Sequence, residues 1–228
     1  MKQTMVKLSV RRSTLTDVIA DVVVYFVAED KMIFKQQRGD LARRTKAASF
    51  PLERGMFTGK DLETLWLYPR KGKTKALLLV GLGKAEKLTL EQLRRAAATA
   101  ARTAEKTKAR SVAIMEPDSS VLEASKDFKP TSEQLWESIG FALGEGAALG
   151  VYKFHKYITQ PEQKSSTLTS VLIVSEERKH IKELARGLHL AQVVCEATCF
   201  ARDLSNAPGN EIYPESLAQR ALAAGRRH

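Results

Sequence analysis

The chain has 228 residues, 43% of them hydrophobic and 28% charged, a balance that excludes an intrinsically disordered chain and leaves room for one large domain or two small ones. No apolar run approaches the roughly 20 residues of a membrane span, and the opening Met1-Lys2-Gln3-Thr4-Met5-Val6-Lys7 lacks the apolar core of a secretory signal, so a cytoplasmic location and no membrane partner are expected. The net charge of +11 is uneven, with 24 Lys and Arg against 11 Asp and Glu in residues 1–110 and 13 against 15 in residues 111–228. That asymmetry fits either a solvated basic face or an acidic partner such as nucleic acid.

Val6, Leu8 and Val10 alternate with polar residues, the period of a half-buried strand, and residues 21–28 form a nearly continuous β-branched and aromatic run that reads as a central strand covered on both faces. Residues 35–46 are compatible with a helix, and residues 50–55 read as a loop because of Pro51 and Gly55. Two further strands, 64–68 and 76–80, are expected to pair as a hairpin through Pro69-Arg70-Lys71-Gly72. The second runs into Gly81-Leu82-Gly83-Lys84. A Gly-rich turn after a buried strand can present backbone N–H groups to phosphate, but Glu86 stands where a dinucleotide fingerprint has its third glycine, and Ala85 where a phosphate loop has Ser or Thr. A tight structural turn is expected.

Thr89-Leu90-Glu91-Gln92 and Thr131-Ser132-Glu133-Gln134 both carry the capping-box pattern, which predicts a helix after each. Residues 111–115 are a short strand, ended by Pro117-Asp118-Ser119-Ser120. In the second helix Gly140, Gly144, Gly146 and Gly150 each cost about 1 kcal/mol relative to Ala, which predicts that its backbone lies against a close neighbour. A polar loop, 160–167, leads to a last strand, 168–174, and the longest helical pattern runs over 176–204. Its apolar Ile181, Leu184, Leu188, Val193, Val194, Phe200 and Leu204 do not keep to one stripe, so a helix covered on more than one side is expected. Strands alternating with helices predict an α/β sandwich with a mostly parallel or mixed sheet of five or six strands, followed by a long linking helix.

Cys195 and Cys199 lie four residues apart, on adjacent turns of one helix face, and are expected to be buried free thiols. A metal pair is the alternative, but His189 is off that face. His155, His180, His189 and His228 are scattered, and there is no Gly-x-Ser-x-Gly elbow or His-Glu-x-x-His pattern. The sequence therefore predicts no catalytic, cofactor-binding or metal-ligating residue. The dense basic clusters are Arg11-Arg12, Arg43-Arg44, Lys71-Gly72-Lys73-Thr74-Lys75 and Arg94-Arg95. They are the candidates for weak binding of DNA phosphates, without a helix-turn-helix or aromatic stacking motif beside them.

Residues 201–210, Ala-Arg-Asp-Leu-Ser-Asn-Ala-Pro-Gly-Asn, close the long helix and open a polar turn, a hinge followed by one short helical pattern over 214–224. With Arg202-Asp203-Leu204 and Asn206-Ala207-Pro208-Gly209-Asn210, with Gly55-Met56-Phe57-Thr58-Gly59-Lys60-Asp61, with Leu78-Leu79-Val80-Gly81-Leu82-Gly83-Lys84, and with Glu145-Gly146-Ala147-Ala148-Leu149-Gly150 in that order, the chain resembles the leucyl (cytosol) aminopeptidases. The resemblance implies an amino-terminal domain that is macro-like in fold, a three-layer sandwich. It also implies a following catalytic domain with two divalent metals (Zn or Mn), six subunits around an interior cavity, and release of amino-terminal residues from peptides by metal-activated water. Some members of that family bind DNA. None of its metal ligands or its Asn-Thr-Asp-Ala-Glu-Gly-Arg motif falls within these residues, so the chain alone is expected to be inactive. His155, Ile158 and Tyr213 depart from the family pattern. Tyr213 stands where a short hydroxyl would cap the next helix, and a frayed start is expected there.

The expected division is a macro-like domain over 1–175, a linking helix over 176–204 and the start of a catalytic domain over 205–228. Leu188, Val193, Val194 and Phe200 are expected to lack part of their cover, so that the chain associates or frays after about Leu190. A chain ending near Val174 is expected to be the better-behaved monomer.

Overall fold

The computed structural model describes residues 5–46, 50–70, 73–128, 132–159 and 167–226. Six strands form one sheet: β1 (Lys7–Arg12), β2 (Val22–Val27), β3 (Thr64–Leu67), β4 (Leu77–Gly81), β5 (Ser111–Met115) and β6 (Ser170–Ser175). Their spatial order is β1-β6-β5-β2-β4-β3. All neighbours are parallel except β3 and β4, so the hairpin read from the sequence is present at one edge of a mixed sheet. All six residues of β2 are buried, as its apolar run demands of a central parallel strand with helices on both sides.

The helices are α1 (Lys31–Thr45), α2 (Phe50–Glu53), α3 (Leu90–Lys106), α4 (Ser119–Ala124), α5 (Glu133–Gly150), α6 (Ile181–Asn206) and α7 (Pro214–Gly225). Even-numbered residues of β2 (Val22, Val24, Phe26) pack with Ala96, Ala97, Ala100, Leu143 and Leu184 of α3, α5 and α6. The odd-numbered Val23, Tyr25 and Val27 pack with Leu41 of α1, with Leu52 and Phe57, and with Leu15 and Val18. This is the expected three-layer sandwich. The capping box at α3 is formed, with Gln92 N–H donating to Thr89 Oγ1 at 3.2 Å and Thr89 N–H to Gln92 Oε1 at 2.8 Å.

The glycines of α5 do what their number predicted. A Cβ on Gly140 would lie 2.6 Å from Leu184 O of α6, and one on Gly146 only 2.1 Å from Arg94 O of α3. From the other side, a Cβ on Gly187 of α6 would sit 1.9 Å from Glu137 O. The helix is wedged between two neighbours whose backbones it touches, at separations that only a missing side chain permits.

Three expectations need correction. Residues 50–55 do not form a plain loop, because Phe50–Glu53 makes a helical turn, α2. At α5 the N-cap is Ser132 with no side-chain cap; Thr131 lies outside the described residues, and with the cap at Ser132 the third helical residue is Leu135, which has no carbonyl or carboxylate to return the bond. The long helix begins at Ile181 after a tight turn, Arg178–His180, because β6 runs to Ser175 and Ser175 Oγ holds the Glu177 N–H just after it. Most of the polar loop 160–167 lies outside the described residues.

Replacing Gly146 by Ala is expected to destabilise the fold by about 2 kcal/mol or more, since overpacking against a carbonyl outweighs the helix-propensity gain of about 1 kcal/mol. Gly209→Ala, whose Cβ meets nothing within 4 Å, is expected to change stability by less than about 0.5 kcal/mol. Urea denaturation of the two variants side by side reads the difference.

Candidate functional site

The turn after β4 has no free cradle for phosphate. Gly81 N–H donates to Glu63 O, Leu82 N–H to Val27 O and Gly83 N–H to Gly59 O, all at 2.8–2.9 Å, and Ala85 N–H donates to Asp30 Oδ2 at 2.7 Å. Gly83 has φ +71° and Gly81 lies against the backbone of Gly59 and Lys60, so both glycines serve the turn itself. Cys195 is buried, Cys199 half-buried, and both are free thiols. Burial pushes the Cys195 thiol up to about 12 and raises that of Cys199, which leaves neither a nucleophile near neutral pH.

The basic clusters are only partly brought together: Arg12 and Arg44 meet at Glu176, whose backbone oxygen accepts from Arg12 Nε and whose carboxylate pairs with Arg44, whereas Arg94 and Arg95 lie on α3, on the other side of the sheet from α1. Arg11-Arg12 end β1 and Lys73 to Lys75 precede β4, near opposite edges of the sheet; Lys71 and Gly72 lie outside the described residues. Arg43 pairs with Asp40 at 2.7 Å, and Arg44 with Asp40 and Glu176. Arg94 pairs with Glu91 and Glu145, and Arg95 with Asp61 at 3.5 Å. Arg43, Arg44, Arg94 and Arg95 are thus engaged by the protein's own carboxylates, while Arg11, Arg12, Lys73 and Lys75 have no ion pair among the described residues.

Of the histidines, His189 is exposed and His155 half-buried in the turn after α5, while His228 lies outside the described residues. His180 is buried at 6% exposure. Its ring stacks on Trp136 with centroids 3.6 Å apart, and its Nδ1 lies 3.0 Å from Glu116 Oε2. Ser175 Oγ donates to Glu116 Oε1 at 2.7 Å and accepts from Glu177 N–H at 3.0 Å. Burial raises the Glu116 carboxyl to about 7 and lowers His180. The serine engages the carboxylate and not the imidazole, so the three side chains do not form a nucleophile with its base. They fasten the end of β5 to the end of β6 and the start of α6.

Beside them Gln37 Nε2 donates to Asp118 Oδ2 at 2.6 Å and to Phe26 O at 3.0 Å, while its Oε1 accepts from Ala28 N–H. The Tyr25 hydroxyl donates to Asp118 Oδ2 at 2.5 Å. The sheet's carboxyl edge between β2 and β5, where neighbouring connections depart in opposite directions and open α/β sheets leave a crevice, is thus filled by the protein's own polar groups. Neither polar group was legible in the sequence, because the partners lie 64 and 81 residues apart.

The carboxy-terminal arm carries a run of apolar residues without cover. Leu190 and Val193 of α6 are half exposed, Val194, Phe200 and Leu204 partly so, and no residue of α7 is buried. Leu188, expected to be short of cover, is instead 4% exposed, packed where a Cβ on Gly144 would touch its Cδ2. The helix runs unbroken past Leu190 to Asn206. Its far end is tied down: Tyr152 Oη donates to Asp203 Oδ1 at 2.8 Å and accepts from Asn206 Nδ2 at 3.2 Å, the Arg202 guanidinium lies 5.3 Å from the Tyr152 ring centre, and Lys156 pairs with Glu211. The start of α7 is held as well, since Tyr213 N–H donates to Ser216 Oγ at 2.9 Å and Pro214 needs no donor partner. The frayed start expected from Tyr213 is not seen.

The family model of the cytosol aminopeptidase family, N-terminal domain, matches residues 23–161. A probable cytosol aminopeptidase of Alkaliphilus metalliredigens is 33% identical over 174 residues, covering 75% of this chain and 33% of that protein. One of Roseiflexus castenholzii is 34% identical over 173 residues, with the same shares, and one of Alkaliphilus oremlandii is 26% identical over 97% of this chain and 43% of its own. The chain thus spans between a third and about two-fifths of these relatives' lengths. Among solved structures, a tomato leucine aminopeptidase mutant superposes with a TM-score of 0.74 at 22% identity, over 98% of this chain and 42% of that one. The bottromycin maturation enzyme BotP gives 0.61 at 28% identity, over 90% and 38%.

The Glu116 cluster generates a pH prediction. Its folded pKa lies above the unfolded value, so native Glu116 keeps its proton longer, and stability falls as pH rises from about 4.5 to about 7, by on the order of 3 kcal/mol. His180, lowered in the fold, acts in the opposite sense as pH falls through its ordinary range near 6.5. Glu116→Gln keeps the shape and cannot titrate. Its urea midpoint is expected to lose the fall that the unsubstituted chain shows between about pH 5 and 7, and an unchanged slope would assign that dependence to another group.

Proposed function

We propose that the chain, which belongs to the cytosol aminopeptidase family as its N-terminal domain, serves as the scaffold and assembly domain of a metal-dependent leucyl aminopeptidase and is inactive alone. The observation that carries this reading is the arm: α6 leaves the sandwich, α7 buries none of its residues, and the related proteins run to more than twice this length. The natural cover for Leu190, Val193 and Leu222 is a catalytic domain beyond the hinge. The proposed division keeps a macro-like unit over 1–175, a linking helix over 176–204 and the start of the catalytic domain over 205–228, with the first half of α6 packed into the unit that it leaves.

The substrates proposed for the whole protein are peptides, cleaved at the amino terminus, in a homo-hexamer with two divalent ions, Zn or Mn, in each catalytic domain. The cytosolic location rests on the relatives' names; no helix among the described residues is long and apolar enough to cross a membrane. Among the described residues no three His, Cys, Asp or Glu side chains are placed to hold a metal ion. The described residues therefore do not fit a metal centre, no step of the reaction is routed through them, and the proposal assigns them no catalytic or cofactor-binding role. Weak DNA binding gains no support from Arg43, Arg44, Arg94 and Arg95, which are already paired with carboxylates.

Two measurements test the reading. The 228-residue chain with Leu-p-nitroanilide and added Mn²⁺ or Zn²⁺ is expected to show no turnover above blank, and turnover would place a complete site inside it. In sedimentation the chain is expected to associate through the arm, while the double variant Leu190→Lys with Val193→Lys stays monomeric; equal behaviour of the two would remove the arm as the interface. Truncation near Val174 is the poorer comparison, because it strips Leu184, Leu188 and Ala191, all buried, from the face of α5.

A further inference from the structure

The sheet ends at β1 with one open side. Lys7 N–H donates to Thr169 O at 3.0 Å and Ser13 N–H to Ser175 O at 3.1 Å, so in the parallel pairing with β6 the odd-numbered residues turn their peptide groups inward. Leu8, Val10 and Arg12 turn theirs outward. Gln192 of α6 accepts the Leu8 N–H at 3.3 Å; the outward groups of Val10 and Arg12 have no partner among the described residues. Such an edge is a template for another strand unless it is blocked.

Next to Arg12 a groove of about 440 Å³ opens between the end of the strand and the first turns of α6, lined by Arg12, Arg178, Ile181, Lys182 and Ala185. Three cations and two aliphatic side chains line it, with no carboxylate. Arg12 Nε donates to Glu176 O at 3.1 Å, which fixes the guanidinium beside the groove and leaves its other nitrogens free to bind. Arg44, Arg94, Arg186 and Lys156 all rest on carboxylates; the groove cations have no ion-pair partner among the described residues.

We propose that this edge binds an extended acidic peptide segment, which adds a strand beside β1 and places its carboxylates in the groove. The alternating N–H and C=O groups of Val10 and Arg12 complement a peptide backbone, whereas outward carbonyls would repel the phosphates of a nucleic acid. Self-pairing of two copies would set Arg11 and Arg12 against like charges. Arginine and carboxylate, by contrast, form the bidentate pair that best orients such a segment.

The test is fluorescence anisotropy of the 228-residue chain with a labelled hexapeptide of alternating Glu and Val. The probes beside it are its Lys–Val counterpart, its analogue N-methylated at alternate residues, and an oligothymidylate of equal charge. Saturable binding of the Glu–Val peptide is expected, weakened at least about tenfold by N-methylation and by Arg178→Glu or Lys182→Glu, with thermal melts of these exposed-site variants unchanged. Absence of saturable binding, insensitivity to N-methylation, or tighter binding of the oligothymidylate than of the peptide would overturn the proposal. Failure here leaves the aminopeptidase assignment untouched, since that rests on the arm and the turnover assay.

Discussion

The contact on which the structure depends is the bare approach of helix backbones around α5. Gly140 and Gly187 bring α5 and α6 together, and Gly146 and Gly150 bring α5 and α3 together, with hypothetical Cβ atoms 1.9–2.9 Å from their neighbours. At such separations the helices have no side-chain cushion with which to shift or rotate. The direction in which α6 leaves the sandwich is therefore set by backbone and not by interchangeable apolar side chains. That rigidity is gained at the intrinsic cost of glycine within a helix.

A second constraint acts at the sheet's carboxyl edge. In many open α/β sheets this edge holds a ligand, but here Gln37 bonds the backbone of Phe26 and Ala28, Asp118 takes Tyr25 and Gln37, and Glu116 takes Ser175 and His180. Buried polar groups of this kind are tolerable only when nearly every member finds a partner. Their joint effect is to lock the central strands to α1 on one side and to the root of α6 on the other. The layer that positions the arm is thus clamped at both ends, by glycine contacts in the helices and by hydrogen bonds at the strand tips.

Much of this was legible in the sequence, for physical reasons that differ by element. Strands such as Val22–Val27 and Ser111–Met115 declare themselves because burial on both faces demands an unbroken apolar run. The cap at Thr89 is a four-residue chemistry, and the glycines of α5 announce close packing because nothing else justifies their cost. The missed features are those in which distant residues decide. His180 carries no local sign that Trp136 will cover its ring or that Glu116 will meet its Nδ1. Leu188 is grouped with the bare Val193, Val194 and Phe200 because the apolar residues of this helix keep to no single stripe, and it is its contact with Gly144 of α5, a residue far away in sequence, that covers it. Tyr213 lacks the short hydroxyl of a good cap, but Ser216 supplies the bond from the other direction.

The strand order also has a consequence for biosynthesis. β1 pairs with β6, Lys7 opposite Ser170 and Arg12 opposite Ser175, so β1 must wait for β6 to be synthesised before it has a neighbour. At translation rates of about 5–20 residues per second, that wait is on the order of ten to thirty seconds, during which β2, β4 and β5 can pair among themselves. The nascent chain thus carries its own amino-terminal strand as an unpaired, charged ribbon. Its Lys7, Arg11 and Arg12 then act as gatekeepers against premature association during synthesis.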